Sequence, residues 1–181
     1  MNHRWIALLR GINVGGKNKL PMADLTRLFE AAGCTAITTY IQSGNVVFTA
    51  PMALGNKMAD IAADAIASEL GLEIPVVIRK AKDWQRAIER NPFAKSATDP
   101  KHLHMAALQS RPSAARSRSL DADRSPGDQF VVLGSEVYLH CPNGVARTKL
   151  TNAWFDSQLE TVSTMRNWNT CLRLLALAQA T

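Results

Sequence analysis

Between Met1 and Met22 the chain places Arg10, Lys17 and Lys19 around three glycines, Gly11, Gly15 and Gly16, without one acidic residue. Glycine opens backbone angles that a Cβ forbids, and three cations without a local counterion call for an external anion. Asn13 adds an amide that could orient a phosphate or carboxylate. A second polar string, Gln42-Ser43-Gly44-Asn45, and a third group, Arg147, Lys149 and Arg166, offer further donors. Arginine supplies a planar fork and lysine a point charge. The same residues also fit a structural glycine turn with solvated lysines, so the spacing alone leaves both readings open.

More specific chemistries fail on spacing. Gly11-x-x-x-x-Gly16-Lys17 has the outline of a phosphate-binding P-loop, but Asn18 stands where a metal-binding Ser or Thr belongs. Pro21 also starts the following helix several residues too late. No Gly-x-Gly opens a dinucleotide fingerprint. Ser43 lacks the glycine two positions before it that a nucleophile elbow needs. His102 and His104 share a strand face, yet no third ligand stands at motif spacing, so no metal and no cofactor is expected. Trp5, Trp84, Trp154 and Trp168 fit apolar stripes and read as core.

The elements that must position these residues follow from periodicity. Residues 5–12 are apolar on both strand faces, as in a central strand covered on both sides. A helix follows from Pro21 with Met22, Leu25, Leu28, Phe29 and Ala32 on one stripe and Gly33 as its stop. Strands at 37–41 and 46–49 meet at the 42–45 turn. A helix at 54–70, ended by Gly71, leads to a strand at 74–78 and a short helix from about residue 83 that Pro92 breaks.

The second half repeats the order: strand 102–108, helix 113–120, strands 129–133 and 137–141, helix 148–159, strand 162–165, and a last helix from Asn167 to residue 181. The expected architecture is therefore α+β, a tandem of two ferredoxin-like βαββαβ units with an extra C-terminal helix. The domains are expected at 1–92, including the short connecting helix, and 100–181. In such a unit the turn between strands two and three lies beside the end of strand one, so Gln42, Ser43 and Asn45 should border the 10–19 loop.

Arg147 and Lys149 would then stand at the start of the 148–159 helix, where the macrodipole disfavours cations by roughly 0.3 to 1 kcal/mol each. A bound anion would offset that cost. Alternatively both side chains turn to solvent or pair with an acid such as Asp156. Arg166 is either a bidentate clamp or a side chain tied down inside the unit.

Taken together, Ala7-Leu8-Leu9-Arg10-Gly11-Ile12-Asn13-Val14-Gly15-Gly16-Lys17-Asn18-Lys19, Tyr40-Ile41-Gln42-Ser43-Gly44-Asn45-Val46-Val47-Phe48, Asn91-Pro92-Phe93, Arg147-Thr148-Lys149-Leu150 and Thr164-Met165-Arg166-Asn167-Trp168-Asn169-Thr170 resemble the bacterial family known as domain of unknown function 1697. The resemblance implies a cytosolic α+β protein and attaches no reaction to these motifs.

The net charge is +6, shared evenly by the two halves, which favours anionic partners without marking a nucleic-acid tail. Three widely spaced cysteines read as reduced thiols of a cytoplasmic protein. The apolar run at 5–9 is cut by Arg10, and no run reaches the length of a membrane span. The expected function is binding of a phosphate- or carboxylate-bearing small molecule. Two alternatives stand beside it: an enzyme acting on a phosphorylated small molecule or nucleotide, and a non-specific nucleic-acid-binding protein. The oligomeric state is not legible.

Overall fold

The computed structural model describes residues 1–180; Thr181, to which the sequence reading extends the last helix, lies outside the described residues. The chain is α+β, with two four-stranded antiparallel sheets and six α-helices among the described residues. It forms two compact units, one made of Met1–Arg86 with the stretch from Arg173 onward, the other of Ala87–Leu172.

In the first unit β1 (Asn2–Leu9), α1 (Met22–Ala31), β2 (Thr35–Tyr40), β3 (Asn45–Pro51), α2 (Met52–Leu70) and β4 (Val76–Lys80) give the sheet order β2-β3-β1-β4. The central place of β1 explains its doubly apolar sequence, and Trp5 to Leu9 are all buried. Trp5, Ala7 and Leu9 point to the helical side, where they pack with Val46, Phe48, Leu25, Phe29, Met58 and Ile66. Burying such side chains contributes roughly 1.5–3 kcal/mol each, which is what holds α1 and α2 on the sheet. Gly33 (φ +92°) and Gly71 (φ +64°) end the two helices in the left-handed region, as their positions required.

Several boundaries differ from expectation. β1 runs from Asn2 to Leu9 rather than over 5–12, because its ladder to β3 starts with Asn2 opposite Pro51 and the chain turns away after Leu9, and β2 and β3 start earlier than residues 37 and 46. β4 begins at Val76 rather than residue 74, because the ladder to β1 opens with Leu9 opposite Val76. The short helix α3 (Ala81–Glu89) then starts directly from the strand.

In the second unit a single 3-10 turn (Pro100–His102) leads into β5 (Leu103–Leu108), followed by α4 (Ala114–Arg118), β6 (Gln129–Leu133), β7 (Glu136–His140), α5 (Asn152–Leu159) and β8 (Ser163–Asn167). The sheet order β6-β7-β5-β8 repeats that of the first unit strand for strand. Registers match too: Leu8 faces Asn45 in one sheet and Ala107 faces Glu136 in the other, one residue before the end of each central strand. The core here is Ala106, Leu108, Val137, Leu139, Leu150, Phe155 and Leu159. α6 (Trp168–Gln179) closes the chain, and its residues from Arg173 group with the first unit, where Arg4 Nη2 donates to the Leu177 carbonyl at 3.2 Å.

One helix start is corrected. α5 begins at Asn152, not at residue 148, because the Thr151 hydroxyl caps it by accepting from Trp154 N at 3.2 Å. Thr148 is diverted into a turn, donating from Oγ1 to Asp128 Oδ2 at 2.6 Å and accepting from Leu150 N at 3.2 Å. Arg147 and Lys149 therefore lie in the loop before the helix, and the macrodipole argument no longer applies to them.

Candidate functional site: the loop between β1 and α1

The stretch after β1 is a miniature hairpin. Val14 and Lys17 bridge each other, with Lys17 N donating to Val14 O at 3.0 Å and Asn13 N to Asn18 O at 3.1 Å. Gly15 (φ +57°) and Gly16 (φ +76°) take the two central positions, the pair of positive angles a two-residue hairpin turn demands. That accounts for Gly-Gly without a phosphate, and α1 starts at Met22, beyond the reach of a P-loop lysine.

Asn13 braces the hairpin. Its Nδ2 donates to Leu20 O at 2.9 Å and to Gln42 O at 2.8 Å, while its Oδ1 accepts from Leu20 N at 2.9 Å. Asn18 Nδ2 adds a bond to Gly11 O at 2.9 Å. Both asparagines sit at positive φ (54° and 48°), a conformation asparagine tolerates better than most residues. The braced loop holds Lys17 and Lys19 exposed and Arg10 half-buried. Among the described residues no carboxylate comes within ion-pair distance of Lys17 or Lys19. The next helix opens with Pro21 and no side-chain cap on its first amides.

The 41–45 turn lies against this loop, as the topology required. Leu9 N donates to Gly44 O at 2.8 Å, and Arg10 N, on the other side, to Pro75 O at 3.0 Å. Gly44 (φ +77°) is forced: a Cβ there would meet Leu9 Cβ at 2.6 Å and Ile12 Cδ1 at 3.0 Å. Asn45 is fully buried, its Nδ2 donating to Tyr40 O at 3.1 Å and Ser43 Oγ at 2.9 Å, so it shapes the turn from inside. Gln42 is exposed and Ser43 half-buried.

In the second unit Arg147 and Lys149 are exposed beside a hydroxyl network that the sequence did not disclose. Ser125 Oγ and Thr148 Oγ1 donate to Asp128 Oδ2 at 2.7 and 2.6 Å, and Lys149 N donates to Ser125 Oγ at 3.1 Å. These bonds tie the irregular 121–128 segment to the loop before α5. Arg166 is turned onto its own strand, Nη1 donating to Thr164 Oγ1 and to Met165 O, both at 2.9 Å. Burial lowers its pKa to about 10, partly opposed by Cys171.

His104 is buried with Nδ1 unpartnered, and burial holds its pKa below the ordinary value. Among the described residues no group of three or more His, Cys, Asp or Glu forms a metal site, and no helix is long and apolar enough to cross a membrane. Cys34, Cys141 and Cys171 are buried thiols that form no disulfide.

Comparison with known proteins adds fold and family. The family described as "Protein of unknown function (DUF1697)" matches residues 1–138. A solved structure of a conserved bacterial protein from Streptococcus pneumoniae is similar, with TM-score 0.74 and 20% identity over 99% of this chain and 100% of that one. No curated protein matches.

Proposed function

This chain belongs to the family of unknown function DUF1697, and from that premise we propose that its β1–α1 hairpin binds an anion bearing phosphate or carboxylate. One observation carries the reading: a loop braced by Asn13 and Asn18 holds Lys17 and Lys19 outward without an internal carboxylate partner among the described residues. A rigid scaffold lowers the ordering cost of binding. The uncapped first turn of α1 adds free amide groups beside Lys19.

In this reading Lys17, Lys19 and Arg10 supply charge, and Gln42 and Ser43 supply polar contacts from the neighbouring turn. Asn13 and Asn45 keep the scaffold in shape. Arg147 and Lys149 form a separate basic candidate in the second unit, with Arg166 as its most enclosed member. The matching strand orders support naming each unit ferredoxin-like, in two domains near 1–92 and 100–181 except that the stretch from Arg173 groups with the first. Three thiols without a disulfide fit a reducing, cytoplasmic setting.

The test is a thermal-shift screen with inorganic phosphate, nucleotides, sugar phosphates and dicarboxylates. A ligand at a hundred times its Kd stabilises by about 2.7 kcal/mol. Lys17→Ala should abolish that shift, and Lys57→Ala, an exposed lysine on α2, should keep it. Absence of any shift ends the reading. Retention on DNA or RNA that falls steeply with salt would instead mark the bound phosphate as a nucleic-acid backbone.

A further inference from the structure

Each sheet ends in two edge strands, and an unprotected edge is a template for another chain. Three of the four edges are blunted. β2 carries a register shift between Thr35 and Thr38, and Arg4 Nη1 occupies the Ala36 carbonyl at 2.8 Å. β4 follows Pro75 and ends in Arg79-Lys80. β8 carries Arg166, which bonds the Met165 carbonyl.

β6 has none of these devices. Its sequence Gln-Phe-Val-Val-Leu holds no charge, proline or bulge, and it pairs in unbroken register with β7 alone. Leu133 and Glu136 flank the two-residue turn at Gly134-Ser135, so they form the closing hydrogen-bonded pair of the hairpin. Alternation then directs the N–H and C=O of Phe130 and Val132 away from β7. Among the described residues those groups have no hydrogen-bond partner.

The edge is grooved and its ends carry opposite charge. A cavity of about 490 Å³ beside Gln129–Val131 is lined by Asp123 and Asp128. A second, of about 210 Å³ beside Val132 and Gly134, is lined by Arg111 and Arg118. Neither Asp123 nor the two arginines has an ion-pair partner among the described residues.

We propose that β6 is the contact of a two-fold dimer, in which the occupant of the edge is β6 of a second copy of this chain. Antiparallel pairing about Val131 sets Phe130 opposite the other copy's Val132, and each such pair exchanges both main-chain bonds. The same rotation carries the acidic end of one copy onto the basic end of the other, so the surface is self-complementary, as an isologous interface must be. A parallel arrangement would place like charges together. The charge pattern thereby selects the second copy over an arbitrary extended peptide.

Sedimentation velocity and light scattering, from low micromolar into millimolar concentrations, test the pairing on the full chain. A monomer–dimer equilibrium is expected, with amide exchange at Phe130 and Val132 slowing as dimer forms. Val132→Pro removes an outward N–H that β7 does not use, and should raise the dissociation constant at least about tenfold. Arg118→Asp alone should weaken the dimer, and adding Asp123→Arg should restore it, a recovery no folding defect would produce. A single-copy mass at every concentration overturns the proposal. So does a dimer indifferent to Val132→Pro and to the charge swap.

Discussion

The indole of Trp5 lies so close to Gly55 that a Cβ on that glycine would sit 2.1 Å from Cε2 and 2.2 Å from Cζ2. This contact seats α2 on β1, and the Trp5 Nε1–H is satisfied by the Ala50 carbonyl at 3.1 Å. Gly55→Ala sets two effects against each other. Alanine gains about 1 kcal/mol of helix propensity, while overpacking a rigid ring costs about 1–3 kcal/mol or more. The clash wins, because the ring is buried and hydrogen-bonded. A lowered urea midpoint with unchanged slope is the expected result.

Asn13→Ala should loosen the β1–α1 hairpin. Three hydrogen bonds vanish, leaving Leu20 N, Leu20 O and Gln42 O to seek water. At a half-exposed site that substitution costs about 2 kcal/mol. If the hairpin binds phosphate, ligand-induced stabilisation should shrink in the same variant, as a thermal-shift titration would read.

Two glycines with nearly equal angles should respond differently to alanine. Gly16 (φ +76°) has open space around its missing Cβ, so only backbone strain is charged, about 1 kcal/mol. Gly44 (φ +77°) adds the collision with Leu9 and Ile12, for a loss of about 3 kcal/mol. Paired denaturant curves for the two variants check the difference.

His104 should make the fold acid-sensitive. Its burial, the larger cause, holds the folded-state pKa below 6.5, against an opposing hydrogen bond to the His102 backbone. As pH falls below about 6.5 the unfolded chain takes up the proton first, so stability declines from there towards the folded-state value. Above that range both states are neutral and the histidine has no effect. Melting curves of His104→Met should fall less between pH 7 and 5 than those of the parent. Identical slopes would remove His104 from the account.

Burial raises the thiols of Cys34 and Cys141 to about 11 and that of Cys171 to about 12. Alkylation at pH 8 should therefore be negligible in the native protein and complete in denaturant. Mass spectrometry after timed iodoacetamide exposure measures both.

What could be read in advance was what local sequence controls. The apolar faces of residues 5–9 and the glycine stops at Gly33 and Gly71 follow from short-range pattern, and the 42–45 turn against the 10–19 loop follows from the strand order that pattern implied. The start of α5 did not, because Thr148 and Thr151 are both credible caps. Asp128, twenty residues upstream, claims the first and leaves the second to the helix. Asn13 was likewise ambiguous: its partners are carbonyls and an amide, which every residue possesses, so no side-chain pattern announces a brace. Gly55 went unremarked because its cause is an aromatic ring fifty positions away. The acceptors of Arg166, by contrast, lie within two residues, yet a hydroxyl and a carbonyl on its own strand are no more distinctive in sequence than an external anion would be.

The bond from Arg4 to the Leu177 carbonyl joins β1 to α6 across 173 residues of chain. On the ribosome the unit of Ala87–Leu172 therefore has all its residues while the other still lacks the rest of α6, and although Arg4 Nη1 is held early by Ala36 and Thr49, its Nη2 gains the Leu177 acceptor only when that helix emerges.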